Sequence, residues 1–154
     1  MSGCLILIVG IYAFCIKGRT AIHNLFAAIT VSVSIWLVSY SIVYSCRDPA
    51  SALFWGRVGY AGVSFIPALS VHFHLEFIKK RPIKAFMLPL YAVSLLLVLL
   101  AQSNYLLRDP KIFFWGYYPQ AAVLYPVFLL YFIPVLWAGP LLCITELLKE
   151  PEDR

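Results

Sequence analysis

The chain has 154 residues, of which 62% are hydrophobic and only 12% are charged. Its mean hydropathy of +0.87 lies well above the range of soluble globular domains. The formal net charge is +5 at pH 7, but the sequence offers no basic surface with interleaved aromatic residues apart from its apolar runs, which excludes a nucleic-acid-binding module. The composition therefore indicates an integral membrane protein whose first partner is the lipid bilayer.

The apolar runs are long enough to cross a bilayer as helices. A hydrocarbon core of ~30 Å requires about 20 helical residues, and backbone polar groups in lipid must be paired within a helix or a closed barrel. These runs lack the alternation of apolar and polar residues that barrel strands show. We therefore predict an all-α, polytopic transmembrane helical bundle with about five spans. The predicted spans are residues 4–16, 25–44, 51–78, 85–103 and 121–145, within one transmembrane domain, 1–148, followed by a cytoplasmic tail, 149–154.

The distribution of lysine and arginine predicts the orientation of the bundle. Connections on one side carry eight of these residues and those on the other side carry three, and the richer side faces the cytoplasm under the positive-inside rule. The eight are Lys17, Arg19, Lys79, Lys80, Arg81, Lys84, Lys149 and Arg154, and the three are Arg47, Arg108 and Lys111. We therefore expect a multi-pass plasma-membrane protein with its N-terminus outside and its C-terminus in the cytoplasm.

The stretch VHFHLEF places two histidines and a glutamate in an apolar run. In a helix His72 and Glu76 share a face at i, i+4, whereas His74 points away from both. A zinc site requires three or four protein ligands, so we predict neither a metal site nor a cofactor. Glu76 also lies three and four residues before Lys79 and Lys80, where an interfacial ion pair explains its presence. His72, the deeper histidine, remains a candidate for function.

Pro67 lies inside the same predicted helix. Because proline removes a backbone hydrogen bond, we expect a kink near Ser64 and Phe65. Small residues upstream allow a neighbouring helix to approach closely, at a spacing of three residues: Gly56, Gly59 and Gly62. Two interpretations stay open, ordinary tight packing and a flexible kink that transmits a signal.

Two similar segments, RDPASALFWG at 47–56 and RDPKIFFWG at 108–116, precede the third and the fifth predicted spans. Asp48 and Asp109 each precede a proline, which is the arrangement of an N-cap followed by the first helical residue. The aromatic residues that follow suit the headgroup level of a bilayer. Alternatively, a vestibule for a small hydrophobic or amphipathic ligand would be formed by Trp55, Trp115, Tyr117 and Tyr118.

An ordered pattern of residues runs from Trp36 to Phe77. Its members are Trp36, Asp48, Pro49, Phe54, Trp55, Arg57, Tyr60, Gly62, Phe65, Pro67, His72, Phe73, Leu75 and Phe77. This pattern resembles the N-terminal seven-helix membrane region at the front of many prokaryotic sensor histidine kinases. The resemblance implies a sensory input module that has its N-terminus outside and passes a signal to cytoplasmic PAS, kinase or other output domains. It also implies a homodimer.

The chain accounts for about five of the helices that the resemblance implies and carries no output domain. We therefore predict a non-catalytic module of a two-component signalling protein rather than an enzyme. The expected input is a small hydrophobic or amphipathic ligand or a state of the bilayer. Candidates for the sensing or transmitting face are Trp55, Arg57, Tyr60, Pro67 and His72.

Two other classes of function were weighed against this interpretation. A small transporter or channel component would carry inverted repeats or charges at the bilayer midplane, whereas the RDP segments repeat in parallel. An integral membrane enzyme using His72 and Glu76 is less favoured, because two ligands do not make a metal site. The sequence also lacks the P-loop, Rossmann, G-x-S-x-G and H-E-x-x-H patterns.

Overall fold

The computed structural model describes residues 2–15, 20–80 and 84–149. Within these ranges the chain forms six helices and one two-stranded sheet. The helices are α1 (Ser2–Cys15), α2 (Ala21–Ser45), α3 (Pro49–Val63), α4 (Ile66–Phe77), α5 (Lys84–Ala101) and α6 (Tyr125–Lys149), and the strands are β1 (Leu107–Phe113) and β2 (Gly116–Ala121). Residues 150–154 of the predicted tail and the basic residues Lys17, Arg19 and Arg81 lie outside the described residues.

Four stretches are long and apolar enough to cross a membrane: α2, α3 together with α4, α5, and α6. Helix α1 is apolar but has only 14 residues, which reach about 21 Å at 1.5 Å per residue. The prediction of an all-α polytopic bundle is confirmed. The last apolar helix begins at Tyr125, later than the predicted 121, because the residues up to Ala121 belong to β2.

The prediction that Asp109 caps a helix is wrong. Residues Leu107–Phe113 and Gly116–Ala121 instead form an antiparallel hairpin, and Asp109 lies within β1 with a φ of 24°. Aromatic and β-branched side chains follow Pro110, and such residues favour extended backbone over helix. Asp109 and Pro110 together oppose the single residue Pro119, so a β-bulge interrupts the pairing at this point.

Helix α2 is the element that α1, α3 and α4 share as a neighbour. Its contact with α3 is close because two glycines of α3 face it. A Cβ atom added to Gly59 would lie 3.1 Å from the Tyr40 ring, and one added to Gly62 would lie 2.7 Å from the Ser32 carbonyl oxygen. The predicted role of these glycines in close helix packing is therefore observed at both positions.

The helix that contains Pro67 is interrupted two residues before it. Helix α3 ends at Val63, Ser64 and Phe65 form a turn, and α4 begins at Ile66. The Ser64 hydroxyl donates to the Tyr60 carbonyl at 2.7 Å, and the Phe65 amide donates to the Gly62 carbonyl at 3.3 Å. Pro67 has no amide hydrogen to donate, and these two bonds close the turn that precedes it. The break in the helix therefore lies where the sequence predicts it.

The buried core lies between α3, α5, the base of the hairpin and α6. Its members are Tyr60, Val63, Leu97, Ala101, Leu106, Leu107 and Phe128. Leu106 and Leu107 are fully covered, at 0% and 1% exposure, and they fix the base of the hairpin to the helices. We call this end of the bundle the hairpin end, and the opposite end, where α4 and α6 finish, the Lys80 end.

Candidate functional site: an aromatic cavity at the hairpin end

A cavity of about 400 Å³ opens between α2, α3, β2 and α6. Its lining residues are Trp36, Leu37, Tyr40, Ser41, Tyr44, Tyr60, Val63, Tyr118, Tyr125, Phe128, Leu129 and Phe132. We call it the aromatic cavity. Its size lies in the range typical of small-molecule sites, and its lining combines apolar surface with a few hydroxyl groups.

Four separate elements, α2, α3, β2 and α6, supply the aromatic side chains of this cavity. On α2, Trp36, Tyr40 and Tyr44 recur every four residues, and Tyr40 lies 6.4 Å from Trp36 and 6.0 Å from Tyr44 between ring centroids. On α6, the ring centroid of Phe128 lies 6.0 Å from that of Tyr125 and 5.4 Å from that of Phe132. Residues at such spacings share one face of a helix, so each helix presents an aromatic stripe to the cavity.

Tyr60 of α3 joins these stripes at the core side of the cavity. Its ring centroid lies 5.2 Å from that of Phe128 and 6.3 Å from that of Tyr125, and its side chain is buried. The contacts to Phe128 and Tyr125 are tilted and edge-on, which are favourable geometries for aromatic pairs. Tyr60 therefore connects the cavity to the helix that ends at the Ser64 turn.

Tyr118 of β2 covers the cavity from the hairpin side. Its ring centroid lies 5.9 Å from that of Tyr40. Burial raises the pKa of the Tyr118 phenol above its ordinary value, and the neighbouring Tyr125 and Tyr44 hydroxyls add to the shift. The hairpin thus presents a neutral hydroxyl to a cavity whose lining residues carry no formal charge. Such a site suits an uncharged or amphipathic small molecule rather than an ion.

The five residues predicted as a sensing or transmitting face do not converge on one point. Tyr60 lines the aromatic cavity, whereas Trp55 lines a separate cavity of about 250 Å³ against α1 and α2. Pro67 is fully buried at the start of α4. Arg57 and His72 face α5 or the chain that follows it. The five are distributed along the interrupted helix rather than around a single pocket.

Arg57 contacts the connection between α5 and β1. Its guanidinium donates through Nη2 to the Asn104 side-chain oxygen at 2.7 Å. Its Nε atom is buried and has no hydrogen-bond partner within the part of the chain that the structure describes. A buried donor without a partner raises the free energy of the folded state. The bond from Nη2 to Asn104 offsets part of this cost and fixes the position of the guanidinium group.

The two histidines of α4 point to different neighbouring helices. His72 Nδ1 lies 2.9 Å from the Tyr91 hydroxyl on α5. His74 Nδ1 lies 2.7 Å from the Ser70 carbonyl oxygen, and the His74 ring lies against Gly139 of α6. Among the described residues no group of three or more His, Cys, Asp or Glu side chains is placed to hold a metal ion.

The predicted interfacial ion pair of Glu76 with Lys79 or Lys80 is not the one that forms. Lys80 instead lies 2.6 Å from Glu146 of α6, and Lys149 lies 3.1 Å from the same carboxylate oxygen. The pair joins residues 66 positions apart, so the helical spacing of three or four does not reveal it. It connects the end of α4 to the end of α6.

Of the four residues proposed for a vestibule, Tyr118 alone is among the residues that line the aromatic cavity. Trp115 lies at the hairpin tip and Trp55 on the opposite face of α3. The sequence interpretation missed the aromatic stripes of α2 and α6 as a site. The four-residue spacing of Trp36, Tyr40 and Tyr44 is the signal that indicates such a face.

Comparisons with known proteins bear on the whole chain. No curated protein and no solved structure matches it. A protein family described as the N-terminal 7TM region of histidine kinase matches residues 1–153, nearly the full length. The membrane helices and the family match agree with the pattern that runs from Trp36 to Phe77. The chain therefore belongs to the family of N-terminal 7TM regions of histidine kinases.

Proposed function

We propose that this chain is a membrane-embedded sensory input module that detects a small hydrophobic or amphipathic molecule in its aromatic cavity. The observation that carries the proposal is the cavity itself, in which four elements form an uncharged aromatic surface with a few hydroxyl groups. Six of its residues carry hydroxyl groups for orienting a ligand: Tyr40, Ser41, Tyr44, Tyr60, Tyr118 and Tyr125. The module itself carries no chemical step.

The turn at Ser64 and Phe65 offers a route from the cavity to the opposite end of the bundle. Tyr60 contacts the cavity one turn before the break, and α4 beyond the break packs against α6. A ligand that binds one α3–α4 angle better than another shifts the population of the two arrangements. The shift would reach the Lys80–Glu146 pair, where α4 and α6 end.

Several features of the module belong to the same proposal. The N-terminus lies outside and the Lys80 end faces the cytoplasm of a cell whose plasma membrane holds the chain, as the lysine and arginine count favours. The output is a kinase or other cytoplasmic domain, and two copies act together as a homodimer. The family membership and the charge distribution support these features.

Photolabelling tests the proposed cavity. The probe is a photoreactive analogue of n-decanol, which carries both an apolar chain and one hydroxyl group, added to the full chain in phosphatidylcholine nanodiscs. Mass spectrometry then locates the labelled residues. We expect labelled peptides from α2, α3 and α6 at cavity positions, with labelling that saturates as probe concentration rises.

Adjacent residues of α6 offer a matched pair of variants. Leu129 lines the cavity, whereas Leu130 is 74% exposed on the outer surface of the helix. Leu129→Trp fills the cavity and is expected to reduce labelling there at least fivefold, while Leu130→Trp adds the same side chain without filling it. Equal labelling of cavity positions in the two variants, or labelling confined to lipid-facing positions, would contradict the proposal.

A further inference from the structure

The hairpin carries its aromatic residues at the tip, away from the bundle. Phe114 is 96% exposed and Trp115 is 47% exposed, in contrast to the covered base at Leu106 and Leu107. Phe113 and Trp115 stack at 4.9 Å with parallel rings, and Phe114 meets Trp115 edge-on at 4.3 Å. We call Phe113, Phe114 and Trp115 the aromatic tip. Three adjacent exposed aromatic side chains are costly to leave in water.

The aromatic tip lies beside the last turn of α2. Gly116, which follows the tip directly, contacts the Tyr44 carbonyl with its backbone, and α2 ends at Ser45. Helix α2 has 25 residues and reaches about 37 Å, longer than a hydrocarbon core of ~30 Å. A helix of this length extends beyond the hydrocarbon core, which brings its last turn, and the tip beside it, within reach of the lipid headgroups.

The chemistry of the tip matches that level of a bilayer. Tryptophan and other aromatic residues concentrate at the interface between hydrocarbon and water, where their rings are partly desolvated. Lys111 is exposed two residues before the tip, and a lysine at this depth extends its ammonium group toward lipid phosphates. Pairing between β1 and β2 satisfies the backbone groups that face each other in the hairpin, and the headgroup layer offers water and polar partners to the outward-facing ones.

We propose that the hairpin is an interfacial anchor whose aromatic tip inserts into the headgroup layer of the leaflet nearest the end of α2. The partner surface is the membrane that already holds the helices, and the anchor fixes the position of the hairpin over the bundle. The proposal does not depend on a ligand in the aromatic cavity, so either can fail while the other stands.

Depth-dependent quenching of tryptophan fluorescence tests the anchor. The full chain is placed in phosphatidylcholine nanodiscs that contain a lipid with a nitroxide either on its headgroup or near its acyl-chain end. The Trp115 component is the difference between the full chain and Trp115→Phe, a conservative change at an exposed position. We expect headgroup nitroxide to quench this component at least twofold more strongly than chain-end nitroxide.

Trp137 provides the matched control within the same chain. It lies midway along α6 and is 60% exposed, so the component lost in Trp137→Phe should be quenched in the reverse order of depth. Thermal unfolding in the same discs confirms that both variants keep the fold. Quenching of the Trp115 component by aqueous acrylamide but by neither nitroxide would overturn the proposal of an anchor. That result would mean that the tip lies in water, where it would be free to bind a protein partner. Protection from all three quenchers would overturn the proposal as well.

Discussion

The two RDP segments begin with the same three residues and end with the same Phe-Trp-Gly, yet one starts a helix and the other forms a hairpin. In the first, Asp48 caps α3 by accepting a hydrogen bond from the Ser51 amide at 2.8 Å. In the second, Asp109 sits at a β-bulge with a φ of 24°. An aspartate followed by proline is therefore compatible with two opposite backbone outcomes.

The residues between the shared ends explain the difference. Ala50, Ser51, Ala52 and Leu53 follow the first proline, and alanine and leucine have high helix propensity. Lysine, isoleucine and two phenylalanines follow the second, and three of these four favour strands. A cap contributes about 1 kcal/mol, so it selects a helix start only where the following residues agree.

The two segments also meet in space, since the glycine that ends the first packs against the hairpin of the second. Gly56 faces the buried Pro119 of β2, opposite the bulge that contains Asp109. Gly116, the corresponding glycine, has a φ of 122° and contacts the end of α2. One glycine thus permits close packing from inside a helix, and the other permits a turn that only glycine adopts readily.

Substitution of Gly116 should have the largest effect. Gly116→Ala places a Cβ atom in a backbone region that non-glycine residues avoid and only 3.0 Å from the Tyr44 carbonyl carbon. We expect the free energy of unfolding to fall by about 3 kcal/mol, as strain and steric overlap add. The measurement is reversible unfolding in mixed micelles. Gln102→Ala, at an exposed position before the hairpin, is the control, and an equal loss there would contradict this role for Gly116.

Substitution of Gly56 should have a smaller effect, at the contact between α3 and strand β2 of the hairpin. A Cβ atom at this position would lie 2.5 Å from Pro119 Cγ, so Gly56→Leu forces β2 away from α3. Overpacking of this kind costs about 2 kcal/mol. Ala50→Leu introduces the same side chain at an exposed position of α3 and should leave the unfolding free energy nearly unchanged. Similar losses in both variants would show that helix α3, not its contact with the hairpin, responds to added bulk.

Features that depend on nearby residues were predictable from the sequence. The apolar runs fix the membrane helices, Pro67 fixes the break after Val63, and Asp48 with Pro49 fixes the start of α3. Each of these follows from a preference expressed within a few residues of chain. The same reasoning failed at Asp109, because the strand-forming residues after Pro110 and the pairing of β1 with β2 outweigh a cap at this position.

Features that depend on distant residues were not predictable in the same way. The aromatic cavity requires α2, α3, β2 and α6 to meet, and the sequence shows only that individual helices carry aromatic stripes. Likewise, Lys80 has a suitable carboxylate four residues away in Glu76, yet it pairs with Glu146 on α6. Helical spacing identifies which residues are able to pair, and the packing of α4 on α6 selects among them.

Replacing each of the two aspartates by alanine should change amide exchange at the start of α3 in one case and not in the other. Asp48→Ala removes the acceptor of the Ser51 amide, so the first turn of α3 should open more often and its amides exchange several-fold faster. Asp109→Ala should leave these amides unchanged, because Asp109 caps no helix. Hydrogen exchange with mass spectrometry of the full chain in nanodiscs measures both. Faster exchange at the start of α3 in Asp109→Ala would mean that the hairpin, rather than the cap, holds that turn.

The pH dependence of the Asp48 cap should be the smallest of these effects. The Ser51 amide and the Ser51 hydroxyl lower the pKa of the Asp48 carboxyl below its ordinary value, because they bond the ionised form. A carboxyl whose pKa is lowered by folding adds stability above its unfolded pKa and loses it as the pH falls through the folded pKa. Between about pH 6 and about pH 3 the full chain should therefore lose more thermal stability than Asp48→Asn, which keeps a capping oxygen but does not titrate. An equal loss of thermal stability in the full chain and in Asp48→Asn would mean that the Asp48 cap does not carry the acid sensitivity.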